Sequence, residues 1–345
     1  MPLTRRRLLV GAAATLAVPL TGCSTGPTAA PAPAGSAAPS ASFPISVAHA
    51  FGATTVAAAP TRVATVSCVN ADVALALGVV PVGMPRDDFG GNAQGSTPWK
   101  DAALQQAAAG IGTDAAPKQY SETDGINYNA IAELTPDLIL AAYSGLTREE
   151  YDKLSKIAPV VAYPEVAYGT SWQDSTALIG RALGREQQAA ELVASVERTI
   201  ADRARAYPQL AGRTFIYGNL EPAKGGINVY TAQDNRPRFL TGIGMTQAPV
   251  VAENTKGDAF FFPWSAERAD ELESDLFVTW VPDDKTRAQI AEDPLLGQIP
   301  AVERGALVAD SDNTLTLAIS ASSPLSLPWA LDAFLPQLAA AADKA

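Results

Sequence analysis

GREQQAAELVASVERTIADRARAY, residues 184–207, is followed at once by Pro208. Gly184 is suited to end one helix, and from Glu186 to Tyr207 neither Gly nor Pro intervenes before Pro208 stops the run. Val193, Val196, Ile200 and Tyr207, with Ala189 and Ala204 between them, recur at steps of three and four, the spacing of one helical face. Glu186, Gln187, Glu191, Glu197, Arg198 and Arg205 fall on the other face. At roughly 1.5 Å per residue the run predicts a rod of about 33 Å, close to the width of a small domain.

The chain reads alike on the two sides of this rod. Residues 132–141 are AELTPDLILA and residues 270–279 are DELESDLFVT, each a helix end, a tight turn and a buried strand. Glu, Leu, Asp and Leu coincide at an offset of 138. A weaker echo pairs LSKIAPV, residues 154–160, with LGQIPAV, residues 296–302. Two readings stand: α/β strands simply begin alike, or two similar lobes flank one stiff connector with a cleft between them.

Arg5, Arg6 and Arg7 head an apolar run over residues 8–20, too short to span a bilayer and ending in Leu20-Thr21-Gly22-Cys23. Small residues before a Cys are what diacylglycerol transfer to a thiol requires, so residues 1–22 are expected to be a signal peptide and Cys23 a lipidation site. The twin arginines also fit export of a folded chain, with general secretion the other route. Residues 24–42 contain only Ser, Thr, Gly, Pro and Ala, a flexible tether from the anchor. The expectation is a globular part held on the extracytoplasmic face of the cell membrane.

Removing residues 1–22 moves the net charge from −11 to −14, which argues against nucleic acid. With Cys23 lipidated, Cys68 is the remaining free cysteine, a small buried or half-buried thiol with no intrachain partner. His49 is the one histidine, which undercuts a protein-held transition metal and a Ser–His–Asp triad. A hydrolase using Ser320, Ser322 or Ser323 is disfavoured for the same reason, and Gly-x-Ser-x-Gly is absent.

In the globular part a hairpin is expected at residues 45–47 and 54–56. Strands are then expected at 62–67, 79–84, 138–143 and 160–163, with helices at 71–77, 126–134 and 148–157 and a loop over 85–98. After the rod come strands at 214–217, 227–230, 276–281 and 306–309. Helices are expected there near 238–243, 266–273, 286–291 and 327–342. Apolar strands alternating with helices predict an α/β fold: two α/β lobes with mainly parallel sheets joined by one long backbone helix. The expected boundaries are 43–170 for the first lobe, 171–210 for the connecting helices and 211–345 for the second lobe.

Several segments, in this order, carry a family resemblance: His49-Ala50-Phe51-Gly52-Ala53-Thr54, Pro60-Thr61-Arg62-Val63, residues 76–83 (ALGVVPVG), 134–139 (LTPDLI), 156–161 (KIAPVV), 180–184 (GRALG) and 323–329 (SPLSLPW). Together, behind the Cys23 signal, they resemble class III substrate-binding lipoproteins of ABC importers, and especially the iron–siderophore-binding ones. The resemblance runs over about residues 49–342. It implies a ligand lying between two lobes, small closure on binding, no enzymatic activity and no cofactor beyond iron within the bound chelate. The implied partners are a ferric siderophore and an ABC permease, with the protein a monomer. Hydroxamate or mixed chelates are favoured, since tricatecholates carry about three negative charges and the mature chain is acidic. Haem or cobalamin is the alternative ligand, with Tyr143 or Met84 as possible axial groups for haem; a non-transport surface lipoprotein is the other.

Ligands of α/β folds sit beyond the carboxyl ends of strands. That rule selects Arg86, Trp99, Lys118, Tyr120, Tyr143, Ser144 and Tyr168 from the first lobe. From the second it selects Asn219, Tyr230, Thr231, Arg236, Arg238, Trp264 and the loop over residues 312–323. Arg236 and Arg238 are expected on one side of an extended loop, where both guanidinium forks can meet anionic oxygen. Permease docking in the family resembles one acid on each lobe: Glu267 carries over, whereas the first-lobe place is Asn129, with Glu133, Glu122 or Asp124 as substitutes.

Overall fold

The computed structural model describes residues 41–222 and 226–345, all within one compact unit. Cys23, the signal and most of the tether lie outside the described residues. A hairpin comes first, β1 (Ile45–His49) against β2 (Gly52–Val56), with Val47 opposite Thr54. Strands and helices then alternate: β3 (Val63–Thr65), α1 (Asn70–Ala76), β4 (Gly83–Pro85), α2 (Pro98–Gln106), β5 (Lys118–Tyr120), α3 (Tyr128–Glu133), β6 (Leu138–Ala141), α4 (Arg148–Leu154) and β7 (Val160–Ala162). These five strands form one sheet, parallel throughout, in the order β5-β4-β3-β6-β7. Every residue of β6 is fully buried, as a strand covered on both faces must be.

Two helices, α5 (Trp172–Ala182) and α6 (Glu186–Ala204), lead to the second half. It contains β8 (Thr214–Glu221), β9 (Gly226–Tyr230), α7 (Asn235–Gly242), β10 (Thr246–Gln247), α8 (Pro249–Asn254), β11 (Phe261–Ser265), β12 (Leu276–Trp280), α9 (Asp284–Glu292), α10 (Pro300–Glu303), β13 (Leu307–Asp310), α11 (Asn313–Ser320) and α12 (Ser326–Ala342). Its sheet runs β11-β9-β8-β12-β13, with β10 on the opening residues of β8. The strands β10, β8, β12 and β13 pair in parallel, and β9 and β11 are antiparallel, so this sheet is mixed. The length of β8 explains it: Thr214 and Phe215 pair with β10, and residues 218–221 pair with β9 on the same side.

The rod forms, shorter than expected. Gly184 takes φ +70°, and α6 ends at Ala204 because Pro208 bars Tyr207 from helical backbone; Tyr207 sits at φ −126°, ψ 63°. Ala189, Val196 and Ile200 form its buried stripe, against α5 and α12. Gly180 lets α5 approach, since a Cβ there would stand 2.3 Å from that of Ala189.

The echo across the rod has a structural cause. Asp137, just before β6, accepts hydrogen bonds from the backbone N–H and hydroxyl of Thr61 and the N–H of Arg62, at 2.8, 2.8 and 2.9 Å. Asp275, just before β12, accepts from the N–H and hydroxyl of Thr214 at 2.7 and 2.9 Å. Each aspartate therefore clamps the entry of the neighbouring parallel strand, β3 or β8. The weaker echo has no such basis: Pro159 precedes the strand β7, whereas Pro300 opens the helix α10.

Several elements differ from expectation. Val79 is drawn back to the end of α1, its N–H bonded to Ala74 O, so β4 starts late at Gly83, just after the Val82 N–H has bonded Val63 O. The Gly-rich loop gives way at Pro98 to α2, whose start Thr97 caps by accepting from the Lys100 N–H. The loop assigned to residues 312–323 is mostly α11, capped by Asp312. Residues 266–271 form a 3-10 segment rather than an α-helix.

Candidate functional site

The carboxyl ends of β3, β4 and β5 enclose a cavity of about 210 Å³ lined by Cys68, Pro85, Arg86, Asp87, Asp88, Glu122 and Thr123. A second, of about 200 Å³, lies at the ends of β8, β9 and β12, among Tyr217, Asn219, Tyr230, Arg236, Trp280 and Phe89. Asp88 faces the first and Phe89 the second, so they adjoin across the segment following β4. The second is walled on its other side by Thr316 and Ser320 of α11. Two contacts tie the halves around it: Thr314 Oγ1 donates to Gly90 O at 2.8 Å, and the rings of Phe89 and Trp280 meet edge to face at 6.1 Å. Tyr143 lies in the same gap, its phenol oxygen 3.5 Å from Ser320 O. Tyr168 packs edge to face on it at 5.9 Å and is 49% exposed, as is Phe89 at 48%.

Charge in these cavities is already balanced locally. Arg236 makes a two-pronged pair with Asp234, at 2.8 and 2.7 Å, and its guanidinium lies 3.5 Å from the centre of the Tyr230 ring. Burial opposes that charge, but the Asp234 hydrogen bonds and charge outweigh it and hold Arg236 protonated. Arg86 pairs with Asp88 at 3.6 Å. Glu122 accepts from the Ser67 N–H at 2.9 Å, while its other oxygen is buried with no partner. Burial pushes this carboxyl up to about 7. Burial likewise pushes the Cys68 thiol up to about 12, so it stays protonated and is no nucleophile near neutrality. The backbone here is strained: Ser67, Val69 and Tyr168 all hold positive φ, and Val69 is β-branched. Buried Asn70 stabilises the turn by bonding Val66 O, Tyr143 O and the Tyr143 N–H.

Of the residues selected from sequence, Arg86, Asn219, Tyr230 and Arg236 line these cavities, and Tyr143 and Tyr168 flank them. The others do not. Trp99 is 6% exposed, on α2, and donates its indole N–H to Asp72. Lys118 opens β5 and so stands at the amino end of the sheet. Tyr120 is buried with its hydroxyl on Thr65 O, Ser144 is buried with its hydroxyl on Ala141 O, and Thr231 is buried with its hydroxyl on Ala259 O. Trp264 donates to Arg268 O beneath that residue's guanidinium. Arg236 and Arg238 sit on α7 rather than on an extended loop, and two residues apart on a helix they face different ways. Arg238 lines a separate groove of about 570 Å³ beside α5 and donates to Gly169 O at 2.8 Å.

Phe89, Tyr217 and Trp280 were not selected, although Trp280 ends a strand and the carboxyl-end rule would have reached it. Met84 is wholly buried in β4 and His49 is held in the hairpin by Thr54 at 2.9 Å, which leaves neither as a haem ligand. Ser322 and Ser323 spend their hydroxyls on Ile319 O and Asp72. Glu267 is exposed in the 3-10 segment; Asp124 and Asn129 share a surface recess, whereas Glu122 faces the cavity. Among the described residues no helix is long and apolar enough to cross a membrane, and no group of three His, Cys, Asp or Glu is placed to hold a metal.

Two α/β halves, a helical connector and an aromatic cavity at opposed strand ends define a two-lobed fold of the helix-linked kind. Residues 63–314 match the family described as periplasmic binding protein, and the chain belongs to it. Its structure resembles that of Streptococcus pneumoniae PiaA in complex with ferrichrome, at 36% identity and TM-score 0.81 over 87% of this chain and 99% of that one. The probable siderophore-binding lipoprotein YfiY of Bacillus subtilis is 29% identical over 45% of this chain and 43% of its own length. The ferric enterobactin-binding periplasmic protein FepB of Escherichia coli is 27% identical over 54% of this chain and 61% of its own length. The chain thus spans about half the length of these two curated relatives.

Proposed function

We propose that this protein captures a ferric siderophore of the hydroxamate or mixed type and delivers it to an ABC permease, while a lipid on Cys23 holds it at the membrane. The observation that carries the reading is the paired state of the cavity arginines. Among the described residues lining the two cavities, the cations are Arg86 and Arg236, and each already faces a carboxylate. With Glu122 beside them, the walls offer no surplus of positive charge for a tricatecholate of about three negative charges, whereas a near-neutral trihydroxamate needs none. Rings of Tyr143, Tyr168, Tyr230, Phe89 and Trp280 supply apolar contact, and Arg236 retains N–H groups for chelate oxygen. The likeness to PiaA with ferrichrome supports the same class, and the likeness to FepB keeps catecholates in the test. No covalent step is needed.

The test is a titration of the mature protein with ferric trihydroxamate, ferric tricatecholate and haem, read by tryptophan quenching. Trihydroxamate binding at least tenfold tighter than the other two is expected; a flat response to all three would sink the proposal. Replacing Cys23 by Ser should release the protein from membranes, and unchanged retention would remove the lipid anchor from the reading.

A further inference from the structure

The SPLSLPW segment at residues 323–329 takes no part in the cavities, yet Ser323 reaches back 251 residues to a buried charge cluster. Lys100, on α2 and 2% exposed, donates to both oxygens of Asp87 at 2.9 and 2.7 Å and stands 3.5 Å from Asp72 Oδ1. The other Asp72 oxygen accepts from Trp99 Nε1 and from Ser323 Oγ, both at 2.7 Å. Burial opposes the ammonium charge, but Asp72 and Asp87 together raise its affinity for the proton. A buried ion loses its hydration unless its partners are well placed, so such a cluster is weak evidence for stability alone. It calls for a role in geometry.

That geometry is a closed circuit. Asp87 lies in the segment of residues 86–96, which carries Phe89 into the second cavity. One residue on, Gly90 meets α11 so closely that a Cβ would stand 2.4 Å from Asn313 O. Thr314 then bonds Gly90 O, α11 runs on past Thr316 and Ser320, and Ser323 returns to Asp72. Both walls of the cavity, the Phe89 segment and α11, are thereby referred to one ammonium group, which holds the first directly at Asp87 and the second through Asp72 and Ser323.

We infer that Lys100 is a positioning residue for ligand capture: through Asp87 and through Asp72–Ser323 it holds the Phe89 segment and α11 at the separation the chelate needs. The ligand half of this rests on the capture reading above; the ordering of the segment does not. Lys100→Met and the milder Asp87→Asn are made alone and in a Phe89→Ala background, with circular dichroism to confirm folding. Should Lys100→Met fail to fold, Asp87→Asn carries the test. Each should speed dissociation of a ferric trihydroxamate about tenfold, leave association within twofold, and have less than a twofold effect once Phe89 is gone. In the unliganded protein, amide exchange over residues 89–95 should rise at least tenfold while β6 amides are unchanged. Unchanged exchange at 89–95 overturns the inference, and so does an equal loss of affinity with and without Phe89. If the wild type binds no chelate, the capture reading fails and the exchange result alone decides the segment's anchoring.

Discussion

Glu122→Gln isolates a proton that the cavity holds against ordinary carboxyl chemistry. The carboxyl moves from its usual 4.5 to about 7, first because burial strips its water, with Glu150 adding repulsion and the Ser67 N–H pulling the other way. The charged groups nearest it in the cavity are Arg86, Asp87 and Asp88, with the protonated Cys68 thiol alongside. At about 1.36 kcal/mol per tenfold change in proton affinity the ceiling is about 3 kcal/mol, and partial access to the cavity brings it to about 2. The sign follows from the raised folded value. Below pH 4.5 Glu122 is protonated folded or unfolded, and the variant and the wild type should differ by a constant. Between 4.5 and 7 the unfolded chain gives up the proton and the folded chain keeps it, so the wild type loses stability as pH rises. Above 7 the glutamine variant should be the more stable by about 2 kcal/mol relative to their difference at pH 4. Urea unfolding of both proteins at half-unit steps from pH 4 to 8.5 measures this directly. A difference that stays flat across that range would show that Glu122 is solvated in the folded protein, and would refute the reasoning.

Arg236→Gln should weaken trihydroxamate binding by roughly 10- to 100-fold, the worth of a charged hydrogen bond, while leaving Asp234 unpaired; calorimetric titration checks it, and an unaffected affinity would place the ligand elsewhere. Arg236→Lys should fall between, because it keeps the charge but loses the fork and the stacking on Tyr230. Gly180→Val should lower stability by about 1–3 kcal/mol by forcing α5 off Ala189, visible as a lower thermal midpoint. Burial works against the Asp275 charge, but Thr214 and Arg213 outweigh it and hold the carboxyl below its ordinary range. Its stabilisation should therefore be present at neutral pH and vanish as pH falls below about 4, and Asp275→Asn should flatten that acid limb of the unfolding curve.

The fold was legible wherever local chemistry and tertiary role agree. Apolar alternation located β6 and β12, and the Leu-x-x-Asp-Leu echo marked Asp137 and Asp275, whose clamp needs an aspartate at one place before a parallel strand. Short elements were harder: β5 and β10 are three and two residues long, too brief for any period to show, and exist through their neighbours' edges. Among the site residues, Arg86, Asn219, Tyr230 and Arg236 were reached by the carboxyl-end rule, which uses only order along the chain.

What order along the chain does not carry is the partner of each polar tip. Trp99 and Trp280 are the same residue type near strand or helix ends, yet one finds Asp72 in the interior and the other finds Asn313 Oδ1 at the cavity edge, and that partner goes with one ring being buried and the other lining the cavity. Arg236 and Arg238 differ likewise: about half a turn of helix sends the first to Asp234 and the cavity, the second to Gly169 O and the groove beside α5. Lys100 is the extreme case. In sequence it is a lysine in an ordinary helix start, with nothing to set it apart from solvated neighbours. Only the convergence of Asp72 on α1, Asp87 after β4 and Ser323 beyond α11, none adjacent to it in sequence, makes an ammonium group tenable there. The support beneath the cavity residues is thus assembled from parts of the chain far apart in sequence.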